Sequence, residues 1–142
     1  MSVVLDASMA ITWLFDDEQT EAADAVLKRV IRDGAVVPSL FRLEIGNMLR
    51  NAEGRGRCDE TYVAHSLGRL NRLAITIDKE TDSHAWVGTM ALARQHDLTL
   101  HGAAYLELAL RLGRPIATCE AALVRAAARC DVEVLSARMW GR

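Results

Sequence analysis

Cysteine is scarce in this sequence: Cys58, Cys119 and Cys130 are odd in number and contain no short-spaced pair. That excludes a disulfide framework and the thiolate sets of structural zinc sites, and it suits a reducing compartment. Histidine is as sparse, and His65, His84, His96 and His101 offer no pair at the i, i+4 spacing of a helical metal site. No apolar run approaches the ~20 residues of a membrane span, and no basic stretch leads into an apolar signal segment at the amino terminus. These absences predict a cytoplasmic protein with no membrane association. An excess of positive charge is missing too. The net charge of −2 argues against a protein that coats nucleic acid nonspecifically. Of seventeen cationic side chains all but Lys28 and Lys79 are arginine, the cation suited to bidentate contact with phosphate or carboxylate. With no lysine after residue 79, a phosphoacceptor receiver-like domain, which needs a late lysine near its aspartate, is disfavoured.

What is present is an ordinary soluble composition, 51% apolar and 25% charged over 142 residues. That is enough chain for one domain with a sizeable core, spanning residues 1–142. Charge is unevenly spread. Residues 1–26 carry Asp6, Asp16, Asp17, Glu18, Glu21 and Asp24 with no Lys or Arg, whereas from Arg111 onward six arginines stand against Glu120, Asp131 and Glu133. Arg50, Arg55 and Arg57 form a second basic cluster. Short apolar runs at Val3–Leu5, Ala35–Val37, Ala74–Ile77, Ile116–Ala117 and Val132–Leu135 predict strands. Helical periodicity predicts helices over Glu21–Arg32, Leu40–Ala52, Asp59–Leu73, Asp82–Gln95, Ala103–Leu112 and Ala121–Arg129. Asp59 and Asp82 stand where N-caps belong, and Gly34 and Gly113 where C-terminal caps belong. Alternating strands and helices imply an α/β fold, a three-layer α/β/α sandwich around a mainly parallel sheet.

In such a sheet the carboxyl ends of the strands share one edge, and ligands bind there. Asp6 ends the first apolar run, Glu120 follows Thr118 and Cys119 after the fourth, and Glu44 lies about one turn inside the helix after the second. Each has a structural alternative. Asp6 suits an N-cap for a helix starting near Ser8, Glu44 is a common helix former, and Glu120 suits a first-turn acid facing the helix dipole. Their joint placement after successive strands favours a site. Clustered carboxylates raise one another's pKa unless a cation neutralises them, and oxygen-only donors select a hard ion, Mg²⁺ or Mn²⁺, over zinc. Such an ion can polarise a phosphodiester and activate water.

Leu5-Asp6-Ala7-Ser8, Arg42-Leu43-Glu44-Ile45-Gly46-Asn47, Ala103-Ala104-Tyr105-Leu106-Glu107-Leu108-Ala109 and Ala117-Thr118-Cys119-Glu120 together resemble the ordered motifs of PIN-domain proteins, specifically the VapC-type toxins. The resemblance covers nearly the whole chain. It implies a Mg²⁺- or Mn²⁺-dependent endoribonuclease acting on RNA, a cognate antitoxin that inserts a segment into the active-site groove, and a homodimer. Asp6, Glu44 and Glu120 would be the metal-site acids, and Ser8 and Thr118 hydroxyls that orient ligands or water.

The chain departs from that pattern twice. The family usually has aspartate where this chain has Glu120, a change that keeps the charge. It also usually has aspartate immediately before Ala103, and here that residue is Gly102, which removes a carboxylate and, by the predicted helix start, an N-cap oxygen. His101 next door offers a nitrogen donor that would favour Mn²⁺, whereas Glu107 already has its own place in the motif. Gly102 is compatible with three states: a member that binds a partner or RNA without cutting, an enzyme with a reduced metal site, or a single-base change that spares an expression host from a toxic nuclease. Finally, the apolar run Met9, Ile11, Trp13, Leu14 and Phe15 reads as core, or alternatively places Trp13 or Phe15 in a groove for a partner helix, opposite Leu40 and Phe41.

Overall fold

The computed structural model describes residues 1–136; Arg138 and Arg142 of the carboxyl-terminal basic group lie outside them. Five strands, β1 (Val3–Leu5), β2 (Ala35–Val37), β3 (Ile75–Ile77), β4 (Ile116–Thr118) and β5 (Val134–Ser136), form one parallel sheet in the order β3-β2-β1-β4-β5. The inner strands β1, β2 and β4 are buried at every residue, whereas β3 and β5 at the edges are only partly covered. Unbroken Val/Ile/Leu/Ala runs serve this arrangement, because helices on both faces leave no polar side for an alternating strand to present.

The helices are α1 (Ala7–Ala10), α2 (Glu21–Asp33), α3 (Phe41–Gly54), α4 (Glu60–Asn71), α5 (Thr81–His84), α6 (Met90–His96), α7 (Leu100–Leu112) and α8 (Ala121–Arg129). Asp59 caps α4 as predicted, its carboxylate accepting the Tyr62 N–H at 2.8 Å. Gly34 and Gly113, at φ 80° and 64°, end α2 and α7 in a region that a side chain makes costly.

Two predicted helix starts are corrected. Asp82 is not a cap: α5 begins at Thr81, whose hydroxyl donates to Asp78 Oδ2 and accepts from the Ser39 N–H, both at 3.0 Å, so the turn is fixed from other elements. The helix expected over Asp82–Gln95 is also interrupted by a π-helical turn, Ala85–Thr89, which leaves Trp86 and Val87 in solvent while Thr89 stays buried. Likewise α7 starts at Leu100 rather than Ala103, because the Thr99 hydroxyl accepts the Gly102 N–H at 3.1 Å. Gly102 therefore sits inside the first turn, buried, and the cap oxygen belongs to Thr99.

Of the two readings of the first apolar run, core is the one the packing supports: Trp13, Phe15 and Phe41 are buried, and Leu40 is partly buried against the same cluster. Trp13 Nε1 donates to the Ala23 carbonyl at 3.0 Å, and the Tyr62 hydroxyl donates to the Leu14 carbonyl. Arg57 lies 4.1 Å from the Phe15 ring centre and pairs with Asp17 and Glu18, so part of the second basic cluster answers the acidic amino-terminal segment.

Candidate active site

In the strand order β3-β2-β1-β4-β5 the connections leave β1 and β4 in opposite directions, which makes their shared carboxyl end the switch point where a crevice opens. The register Val4↔Ile116 and Leu5↔Ala117 sets Asp6 beside Thr118. Asp6 is 3% exposed. Its Oδ2 accepts from Ser8 Oγ at 2.6 Å and Thr118 Oγ1 at 2.7 Å. The same two hydroxyls accept backbone N–H groups, Ser8 from Cys119 at 2.9 Å and Thr118 from Glu120 at 3.0 Å. Each hydroxyl therefore has its proton directed at Asp6. Thr118, fully buried, is a positioning group for Asp6.

Asp6 occupies the N-cap of α1: its carbonyl takes the Met9 and Ala10 N–H groups, and its carboxylate, held mainly by the Ser8 and Thr118 hydroxyls, also feels the Ser8 and Ala7 backbone N–H groups without closing a capping bond of good geometry. Glu120, at the N-cap of α8, makes none either. Glu44 stands in the first turn of α3, half-buried, and its Oε1 accepts from the Tyr105 hydroxyl at 2.5 Å.

Electrostatics tie the three acids together. Burial pushes the Asp6 carboxyl above its ordinary range, and the Ser8 and Thr118 hydrogen bonds offset part of that. Glu44 is raised by burial and by the Asp6 charge, with Tyr105 and His101 opposing. Glu120, at the exposed rim, is raised by partial desolvation and then by both Asp6 and Glu44. Among the described residues no Lys or Arg comes within ion-pair distance of any of them. Hard oxygen donors with unneutralised charge suit Mg²⁺ or Mn²⁺. Yet among the described residues no three acidic, histidine or cysteine side chains converge closely enough to enclose an ion. The residues fit a hard divalent cation in donor type and charge, but leave its coordination incomplete.

Gly102, where the resemblance implies a carboxylate, has room for a side chain. A Cβ built there would meet only Thr99 Oγ1, at 3.4 Å, an ordinary contact. His101 is near enough to Glu44 to lower its pKa but is itself exposed.

Two features of this edge escaped sequence reasoning. One is Tyr105, 1% exposed; the available signal was that a buried tyrosine hydroxyl needs a partner. The other is an ion cluster after β3. Arg111 donates to Asp78 Oδ1 and Oδ2 at 3.1 and 2.8 Å, and to Glu107 Oε2 and Oε1 at 2.8 and 2.9 Å. The Arg111 hydrogen bonds hold Asp78 below the usual carboxylate range. Glu107 is thus committed to Arg111.

The sequence profile of the PIN domain matches residues 3–129. Among solved structures, this chain is similar to "Crystal Structure of PAE2754 from Pyrobaculum aerophilum", at 20% identity and a TM-score of 0.66 over 89% of this chain and 84% of that one, a likeness of fold. No curated protein matches. With a profile that spans nearly the whole described chain and a parallel sheet carrying Asp6 and Glu120 at its switch point, the chain belongs to the PIN domain family.

Proposed function

We propose that this chain is a divalent-metal-dependent endoribonuclease toxin of a VapC-type toxin-antitoxin pair, impaired because Gly102 stands where a metal-site carboxylate is expected. PIN domains are generally nucleases and usually use divalent metals. The observation that carries the reading is the gathering of Asp6, Glu44 and Glu120 at the switch point, where the Asp6 charge acts on both glutamates and no cationic partner stands among the described residues.

Asp6, Glu44 and Glu120 would hold Mg²⁺ or Mn²⁺, which when bound polarises the scissile phosphate and lowers the pKa of a water nucleophile. The chain's own part is orientation. Ser8 and Thr118 fix the Asp6 carboxylate from below, using protons that the Cys119 and Glu120 amides direct toward it. Glu44 enters from α3 and Glu120 from the rim, so the charge faces an open edge where an RNA backbone can approach.

Surface features support the antitoxin and homodimer readings. Asp17 and Glu18 border a groove that also contains Ser8, Thr12 and Cys119, so it runs past the Asp6 side of the site. An antitoxin segment carrying arginine would compete there with Arg57, which already pairs with Asp17 and Glu18. Leu43, Trp86 and Val87 are 79%, 85% and 77% exposed and support a homodimer. Light scattering should then give twice the 15.6 kDa chain mass, and a monomer mass that Trp86→Asp leaves unchanged would remove this part. The small, odd number of cysteines supports a cytoplasmic setting. Among the described residues no helix is long and apolar enough to cross a membrane.

The missing convergence of three donors favours one second reading, a non-cutting PIN module that binds antitoxin or RNA. Incubation of mixed RNA in Mn²⁺ separates the two. On the first reading cleavage is weak and is abolished by EDTA and by Asp6→Asn. Cleavage that survives either treatment comes from elsewhere and refutes the assignment; no cleavage, even with Gly102→Asp, moves the binding module ahead.

A further inference from the structure

We infer that Tyr105 is a positioning residue for the acidic site, its hydroxyl holding the Glu44 carboxylate over the edge where Asp6 and Glu120 stand. The inference rests on the reading of that edge as a metal-dependent nuclease centre.

Glu44 reaches the site on a flexible side chain from a half-exposed helix position. Left alone, it would relax into water and away from two like charges. The hydroxyl at 2.5 Å opposes that relaxation. An O–H donated to a carboxylate is among the shorter and stronger neutral-donor bonds, and here the donor is rigid. Tyr105 has two side-chain torsions and lies in the stretch Gly102–Ala109 of α7, buried at every residue.

The placement links two helices. Gly102 precedes Tyr105 by three residues, so the two positions share a face of α7. The helix that carries the empty carboxylate position thus also fixes a carboxylate of α3. A phenylalanine would fill the same volume but leave Glu44 unheld, so the hydroxyl, rather than the ring, is the element that bears on function.

The test is Mn²⁺ titration calorimetry without RNA, on the full chain in the parent and Gly102→Asp backgrounds, comparing Tyr105→Phe, Glu44→Ala and the double variant. Circular dichroism checks that each is folded. Loss of a group that orients a ligand typically weakens metal binding about 10 to 100-fold. That loss is expected for Tyr105→Phe when Glu44 is present, with no further loss once Glu44 is alanine. Binding within about 3-fold of the parent, or equal weakening in the Glu44→Ala background, overturns the positioning role while leaving the nuclease reading intact. Absence of Mn²⁺ binding in folded Gly102→Asp protein overturns both.

Discussion

Gly102→Asp should raise Mn²⁺-dependent RNA cleavage by at least 10 to 100-fold over the parent chain, or about 1.4 to 2.8 kcal/mol of barrier. The lower bound comes from groups that only orient metal ligands; a carboxylate that binds the ion directly should be worth more. Space favours the change, since the new Cβ meets Thr99 Oγ1 at 3.4 Å and nothing else nearby. So does the backbone, because Gly102 lies in the first turn of a helix that otherwise has no acid there. Opposing both is the charge already present. Asp6, Glu44 and Glu120 all have raised pKa values, so the folded state binds protons more tightly than the unfolded one. Their destabilising effect is absent below the ordinary carboxylate pKa of about 4 and complete above the raised folded values. A fourth carboxylate adds to it. In metal-free buffer at pH 7 the variant should therefore melt below the parent chain, and the gap should narrow as pH falls toward 4 or as Mn²⁺ is added. Equal cleavage by the two proteins would show that the gap at residue 102 is tolerated. A variant that binds no metal and melts identically would show that residue 102 does not face the acids.

Arg111→Met should destabilise the protein by about 3 kcal/mol, the low end for removing one partner of a buried ionic group. Arg111 is the cation between Asp78 and Glu107, whose side chains are 9% and 11% exposed. Removing it leaves two carboxylates facing each other under low solvent access, with Thr81 still bonded to Asp78. For a chain of this size that corresponds to a fall in Tm of roughly 10 °C. The pH dependence identifies the cause. The Arg111 bonds depress the Asp78 pKa, so the stability they supply is fully present above the ordinary carboxylate value of about 4 and is lost as pH falls through the depressed one. Urea unfolding at pH 7 and pH 3 should show a narrower gap between variant and parent at the second, because only the parent loses stability as Asp78 takes up its proton below about pH 4. A gap unchanged between the two pH values would mean that Arg111 acts through its packed aliphatic stem instead. The cluster also bears on the site, because it ties the carboxyl edge of β3 to α7, the helix that carries Gly102 and Tyr105.

Legibility in the sequence followed the range of the interactions. Strand cores such as Val3–Leu5, the cap at Asp59 and the stops at Gly34 and Gly113 were readable because a few adjacent residues decide them. Asp6 was readable as a site candidate because an acid closing a buried run announces the strand edge. The helix starts at Thr81 and Leu100 were misplaced because each depended on which hydroxyl, Thr81 or Thr99, reached which amide. Trp13 and Phe15 were ambiguous in sequence, where apolar character alone does not distinguish core from groove.

By itself, then, the sequence determined the alternation of strands and helices, hence a parallel α/β sandwich, and the acids that close its strands. Only the tertiary structure decided that β1 lies against β4, that two hydroxyls aim at Asp6, that Tyr105 grips Glu44 and that Arg111 absorbs Glu107. The physical reason is that hydrophobic period and capping act over a few residues along the chain. Charge coupling and hydrogen bonding act over a few ångströms in space, between groups such as Asp6 and Thr118 that the strand order alone brings together.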